Sequence, residues 1–221
     1  MQNIIEIDGK KYTQTIEPYI EPKEETPDLS YKDKKIVLEI GHGTNGDNGA
    51  IDPRSGTTEH FLNIEAAYSA KHALESFGFT NIVVTDDKQD LWNIGFNAAR
   101  DASVFVSIHH NAFNGKAQGS ECLYSPKGNE DDIRLASIVS AKCSEFLGFR
   151  NRGAKKMALS ILSGATYNRF KDLEGAVLAE GYFLDGPLDT AGGYEWESLT
   201  EASKKYGQAL ANGINEFLKG S

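Results

Sequence analysis

Three strand-like runs, KIVLEI at 35–40, SVFVSI at 103–108 and GAVLA at 175–179, each meet an ionisable side chain at or just past their ends: His42, His109 and Glu180. Helical patterns lie between such runs. Glu59 to Phe77 places Phe61, Ile64, Tyr68, Leu74 and Phe77 at near-helical spacing and stops at Gly78, a residue suited to ending a helix. Asp90 to Arg100 and Glu130 to Phe149 read as two further helices, and Trp196, Leu199, Tyr206, Leu210, Ile214 and Phe217 mark a closing one. TNIVVT and SECLYSP supply additional short strands, and GAVLA extends through GAVLAEGYF. Strands alternating with helices predict an α/β fold: one domain, with a mostly parallel, twisted sheet covered by helices on both faces.

The 221 residues suit a single domain of moderate size, and 39% hydrophobic with 25% charged residues is an ordinary globular balance. The first 34 residues differ from the rest. NIIEIDGKKYTQTI reads as a hairpin around Asp8-Gly9, and EPYIEPKEETPDLS, with three of the six prolines and a surplus of acids, has linker composition. The expected division is therefore a hairpin and acidic linker over 1–34 and the α/β domain over 35–221. A net charge of -9 without a Lys/Arg cluster argues against nucleic acid as a partner and against attraction to an anionic membrane. No apolar run approaches the roughly 20 residues of a membrane span, and the start lacks the basic-then-apolar pattern of a signal peptide. Synthesis in the cytoplasm is the expectation. Cys122 and Cys143 are expected to be reduced and buried, being neither dense enough for a disulfide framework nor paired closely enough for a zinc site.

In open α/β sheets functional groups gather beyond the carboxyl ends of the strands, where His42, His109 and Glu180 fall. Glu59 joins them because the loop leaving His42 must return to the helix that Glu59 begins. Each is ordinary alone: a histidine at a strand end is commonly structural, and an acid in a helix's first turn is favoured by the helix dipole. Glu180 is less easily dismissed, since a carboxylate beside a buried strand loses water at a cost unless something compensates. Two histidines and a carboxylate form a familiar hydrolytic zinc set with one coordination position left for water, and a second carboxylate can manage protons. The glycines at 41, 43, 46 and 49 would let the main chain turn sharply and approach a metal; no Gly-Lys-Ser/Thr follows to suggest a phosphate loop.

IVLEIGHGTNGDNGA, TTEHFLNIEAA, DASVFVSIHHNA and GAVLAEGYF, in that order, resemble the zinc-dependent N-acetylmuramoyl-L-alanine amidases of bacterial cell-wall hydrolysis. The resemblance runs from about Lys35 to Leu218. It implies that His42, Glu59 and His109 bind one Zn2+ per chain and that Glu180 is the catalytic carboxylate. His60 and His110 are adjacent alternatives, but the family pattern favours Glu59 and His109, and neighbours on a strand point to opposite sides. Asn63, Asn111, Gly119 and RGAK at 152–155 fit the family outline as supporting residues. The chain departs from the pattern at Thr85-Asp86-Asp87, where Thr-Arg is common, and at Tyr182, an additional aromatic expected to alter the peptide-binding surface.

The implied substrate is peptidoglycan, cut between N-acetylmuramic acid and the L-alanine of the stem peptide. Another zinc peptidase or deacylase, or a non-enzymatic wall-binding module, is the rival reading. Action on the wall would follow release or delivery, in the manner of an endolysin or autolysin, with residues 1–34 available to a docking partner.

Overall fold

The computed structural model describes residues 2–7, 10–15, 29–86, 89–167, 169–188 and 197–220. Strands β1 (Gln2–Ile7) and β2 (Lys10–Thr15) pair antiparallel, with Ile7 opposite Lys10. The linker at 16–28, Asp8-Gly9, Asp87 and Trp196 lie outside the described residues. A short 3-10 turn at Ser30–Asp33 then packs Tyr31 edge-on against Phe79.

The remaining strands, β3 (Ile36–Ile40), β4 (Ile82–Thr85), β5 (Val104–Asn111), β6 (Ser120–Tyr124), β7 (Asn151–Lys156) and β8 (Gly175–Phe183), form one sheet in the order β4-β3-β5-β8-β6-β7. Every neighbouring pair is parallel except β6 and β8. β3, β5 and β8 occupy the centre and carry the three sequence runs, which is why those runs tolerate no alternation of polar residues.

Helices cover both faces, unequally. On one side α1 (Glu59–Ser76), α3 (Glu130–Leu147) and α5 (Leu199–Lys219) seal a core containing Leu38, Ile40, Val106, Ile108, Val177 and Ala179. On the other, only α2 (Leu91–Ala99) and α4 (Ser160–Ala165) cover Val37, Phe105, Ala176 and Leu178. Side chains ready their termini: Thr58 caps α1, Asp90 caps α2, Ser198 caps α5, and Asn129 with Asp132 forms a capping box on α3. Among the described residues, no helix is long and apolar enough to cross a membrane.

The α1 pattern needs correction. Phe61 and Tyr68 are 45% and 48% exposed, and the buried stripe is Leu62, Asn63, Ala66, Ala67, Ala70 and Leu74. α5 crosses α1 so closely that a Cβ at Gly207 would stand 2.2 Å from the Ala66 carbonyl oxygen, so this interface admits small residues and turns the large ones outward. Two elements were not anticipated, β7 and α4. NRGAKK has no apolar alternation because it is an edge strand with exposed or half-buried positions, and α4 is too short to establish a period. The cysteines are free and buried, as expected.

Candidate metal centre

The site begins at the end of β3. Gly41 donates its N–H to the Ile108 carbonyl at 3.1 Å, which holds the chain against β5 for one more residue. His42 then takes φ 67°, a left-handed conformation uncommon for a residue with a Cβ, and its ring turns back over the strand ends. A Cβ on Gly41 would lie 2.3 Å from His109 Nε2, so the absence of a side chain there makes room for the second imidazole. Gly49, at φ +67°, does the same for the loop: a Cβ would lie 2.6 Å from both Glu59 Oε2 and His42 Cδ2.

Glu59, the first residue of α1, reaches into this space and is nearly buried. Its Oε1 stands 3.0 Å from His42 Nε2 and 2.9 Å from His109 Nδ1, and accepts the His110 backbone N–H at 3.1 Å. Its Oε2 accepts from Ala50 N–H at 2.9 Å. One donor atom from each of His42, Glu59 and His109 lies within 4.8 Å of the others. The imidazole rings of the two histidines meet edge-on with centroids 4.8 Å apart. Asp47 completes the arrangement by accepting from His42 Nδ1 at 2.8 Å, which orients the ring so that Nε2 is the nitrogen facing Glu59.

The charges are tightly balanced. Burial opposes the charged form of His42, but hydrogen bonds and charge from Glu59 and Asp47 outweigh it and raise the imidazole to about 9. His109 is also raised, burial again being overcome by Glu59 and by the nearby Glu180. Glu59 is held well below the usual carboxylate range, because the two imidazoles outweigh the burial that would raise it. Two bases converging on one carboxylate oxygen suit a cation at that point, which would take the imidazole lone pairs and the carboxylate charge together.

Glu180 stands beside this group. It is the register partner of His109 across the β5–β8 pair and of Glu121 across β8–β6, so the three side chains share one sheet face. Its Oε2 is sealed from solvent and has no hydrogen-bond partner. Burial raises the carboxyl to about 7; the charge on His109 opposes this, while Glu59 and Glu121 reinforce it. Glu121 is engaged elsewhere, accepting from Arg152, Lys155 and Asn111.

His110 and His60 do not join the cluster. His110 points to the opposite sheet face, where its Nδ1 meets Asn63 Oδ1 at 2.7 Å and its Nε2 meets Ser203 Oγ at 3.1 Å; burial lowers its pKa to about 3. His60 bonds the Gly41 carbonyl at 3.0 Å. Asn63 donates to the same carbonyl and so ties β3 to His110 through α1, which gives the family-pattern asparagine a supporting role. Tyr182 is fully buried, donates to the Leu199 carbonyl at 2.9 Å and packs on His110, so it belongs to the core and not to a peptide-binding surface.

Sequence reasoning missed Asp47 and Glu39. Glu39, 2% exposed, accepts from Ser107 Oγ at 2.5 Å on the same sheet face as His109, and burial raises its pKa. A carboxylate inside an apolar strand run was the available signal for Glu39. For Asp47 there was only its place five residues beyond His42 in a glycine-rich loop.

A cleft of about 730 Å³ opens over the cluster, lined by His42, Glu59, His109 and Glu180 at one end and by Leu91, Met157 and Ile161 at the other. Its apolar end is rigid. α2 and α4 interlock so that a Cβ at Gly95 would lie 1.9 Å from the Ile161 carbonyl oxygen, and one at Gly164 would lie 2.0 Å from that of Trp92.

Comparison with known proteins finds relatives in both sequence and fold. The chain is 27% identical over 188 residues to Uncharacterized protein YqiI of Bacillus subtilis (strain 168), covering 83% of this chain and 84% of that protein. It is 23% identical to Probable cell wall amidase LytH of Staphylococcus saprophyticus, covering 84% of this chain but 59% of LytH. Among solved structures, N-acetylmuramoyl-L-alanine amidase from Clostridium difficile 630 superposes with a TM-score of 0.67 at 24% identity, over 85% of this chain and 97% of that one, and establishes the likeness in fold. The family model described as N-acetylmuramoyl-L-alanine amidase matches residues 36–216, and the chain belongs to that family.

Proposed function

We propose that the protein hydrolyses the amide joining N-acetylmuramic acid to the L-alanine of the peptidoglycan stem peptide, with one Zn2+ held by His42, Glu59 and His109. The observation that carries this reading is the convergence of those three donor groups beside a buried carboxylate oxygen of Glu180 that has no partner. The donor set fits the ion: two imidazoles and one carboxylate leave a tetrahedral position open. When bound, zinc polarises a scissile carbonyl and lowers the pKa of its water from about 15.7 to about 7.

The chain's own residues do the rest. Asp47 holds His42 in the tautomer whose Nε2 lone pair faces inward, and the backbone N–H groups of Ala50 and His110 hold the Glu59 carboxylate in place. Glu180 takes the proton of the attacking water and returns it to the departing amine. Its buried oxygen, bonded to no other group, is free to make both transfers.

Digestion of purified sacculi tests the reading. The expected products are stem peptides with free L-alanine N-termini and an uncut glycan, with cleavage abolished by chelation and restored by zinc. Bound zinc without amide cleavage would favour a different zinc hydrolase, and loss of both would favour a wall-binding module. We further propose that the enzyme reaches the wall after release or delivery, and that residues 1–34 dock a partner in that step; a variant beginning at residue 35 should then keep hydrolysis of isolated sacculi while losing the partner.

A further inference from the structure

The cleft is chemically one-sided. Four carboxylates line it, those of Asp47, Glu59, Asp90 and Glu180, while among the described lining residues there is no Lys or Arg. Three cations on adjoining elements are committed elsewhere: Arg152 and Lys155 bond Glu121, and Arg54 bonds Asp52 and the carbonyls of Leu184 and Gly186. The far wall offers apolar contact instead, with Leu91 and Met157 standing 50% and 42% exposed on the rigid α2–α4 side.

A peptide carboxylate brought into this cleft would shed water next to like charges and meet no Lys or Arg among the described lining residues, whereas a carboxamide in the same place would keep hydrogen-bonding capacity without repulsion. We propose that the cleft selects stem peptides carrying no free carboxylate next to the scissile amide, so that a second residue ending in a carboxamide is preferred over one ending in an α-carboxylate. This rests on the amidase reading and specifies its substrate class.

The test compares two synthetic muramyl dipeptides that differ only in that carboxamide or carboxylate, assayed by kcat/KM with the zinc-loaded protein and by calorimetric binding in parallel. The carboxamide is expected to win by about tenfold or more, the difference residing in KM and shrinking as salt rises. Met157→Lys, which places a cation on the exposed wall, should narrow the ratio by improving the carboxylate substrate. Equal kcat/KM for the two peptides, or a ratio unchanged by salt and by Met157→Lys, would overturn the proposal. Should neither peptide be cleaved, the amidase reading fails, and binding still decides: tighter binding of the carboxamide supports the selection, and equal or undetectable binding overturns it.

Discussion

The two faces of the sheet solve opposite problems with the same strands. On the α1/α3/α5 face the polar groups around His110 are paired: His110 is held between Asn63 and Ser203, and the Tyr182 hydroxyl between Leu199 and Ser203. On the α2/α4 face the helices are short and stop before the strand ends, leaving Glu180 with an unpartnered oxygen and His42 and His109 competing for one carboxylate. His109 and His110 are consecutive in sequence, yet one sits among charges and is raised while the other sits in an apolar shell and falls to about 3. Residue type alone does not make a ligand; the cover over that face does.

Breaking the open face should have the largest effect. His109→Ala or His42→Ala should abolish both metal binding and hydrolysis, whereas Glu180→Gln should keep zinc by elemental analysis and lose about 10³-fold in kcat, the middle of the range for a positioned acid–base group. A Glu180 variant with near-normal kcat would remove it from the reaction.

Next comes a closed structural site. Asp132 is fully buried and accepts from Arg169, from the Ala176 N–H and from the Asn129 N–H, joining α3 to β8. Asp132→Ala strands those donors and should cost about 3 kcal/mol in chemical denaturation.

The metal-free protein offers a pH test of the open face. Because the folded-state pKa of Glu180 is raised from an ordinary 4.5 to about 7, the native state holds a proton that the unfolded chain releases, so its contribution to stability is present below about 4.5 and is lost as pH rises to about 7. Glu180→Gln should therefore gain on wild type across that window, by about 3 kcal/mol at pH 8, as measured by urea unfolding in chelator. A constant difference between the two proteins from pH 4 to 8 would contradict the burial of that carboxyl.

The smallest effect belongs to the closed face. Tyr182→Phe removes a hydroxyl bonded to the Leu199 carbonyl and should lower stability by about 1 kcal/mol, with kcat within about twofold of wild type. A large loss of kcat would show that the two faces are coupled.

Much of this was legible in the chain. The central strands announced themselves as dense apolar runs, and the ionisable residues stopping them marked the carboxyl end of the sheet. The family motifs then named His42, Glu59, His109 and Glu180, which the fold brings together. Elements whose stability comes from neighbours left no such trace. β7 is held through Arg152 and Lys155 on Glu121, a pairing between distant strands, and α4 by its fit against Gly95 of α2. The outward turn of Phe61 and Tyr68 was equally hidden, because it depends on how closely α5 approaches.

By itself, then, the sequence determined the order of the central strands and the longer helices, the strand ends at which polar groups interrupt apolar runs, and the residue types that can hold a divalent cation. These are local properties, set by hydrophobic periodicity and by the donor chemistry of each side chain. Only the tertiary structure decided that His109 faces a cleft and His110 a core, that Gly41 is bare because an imidazole occupies its side-chain space, and that four carboxylates share one cleft with no Lys or Arg among its described lining residues. Those outcomes depend on the distance between segments far apart in the chain, which packing sets and no local pattern encodes.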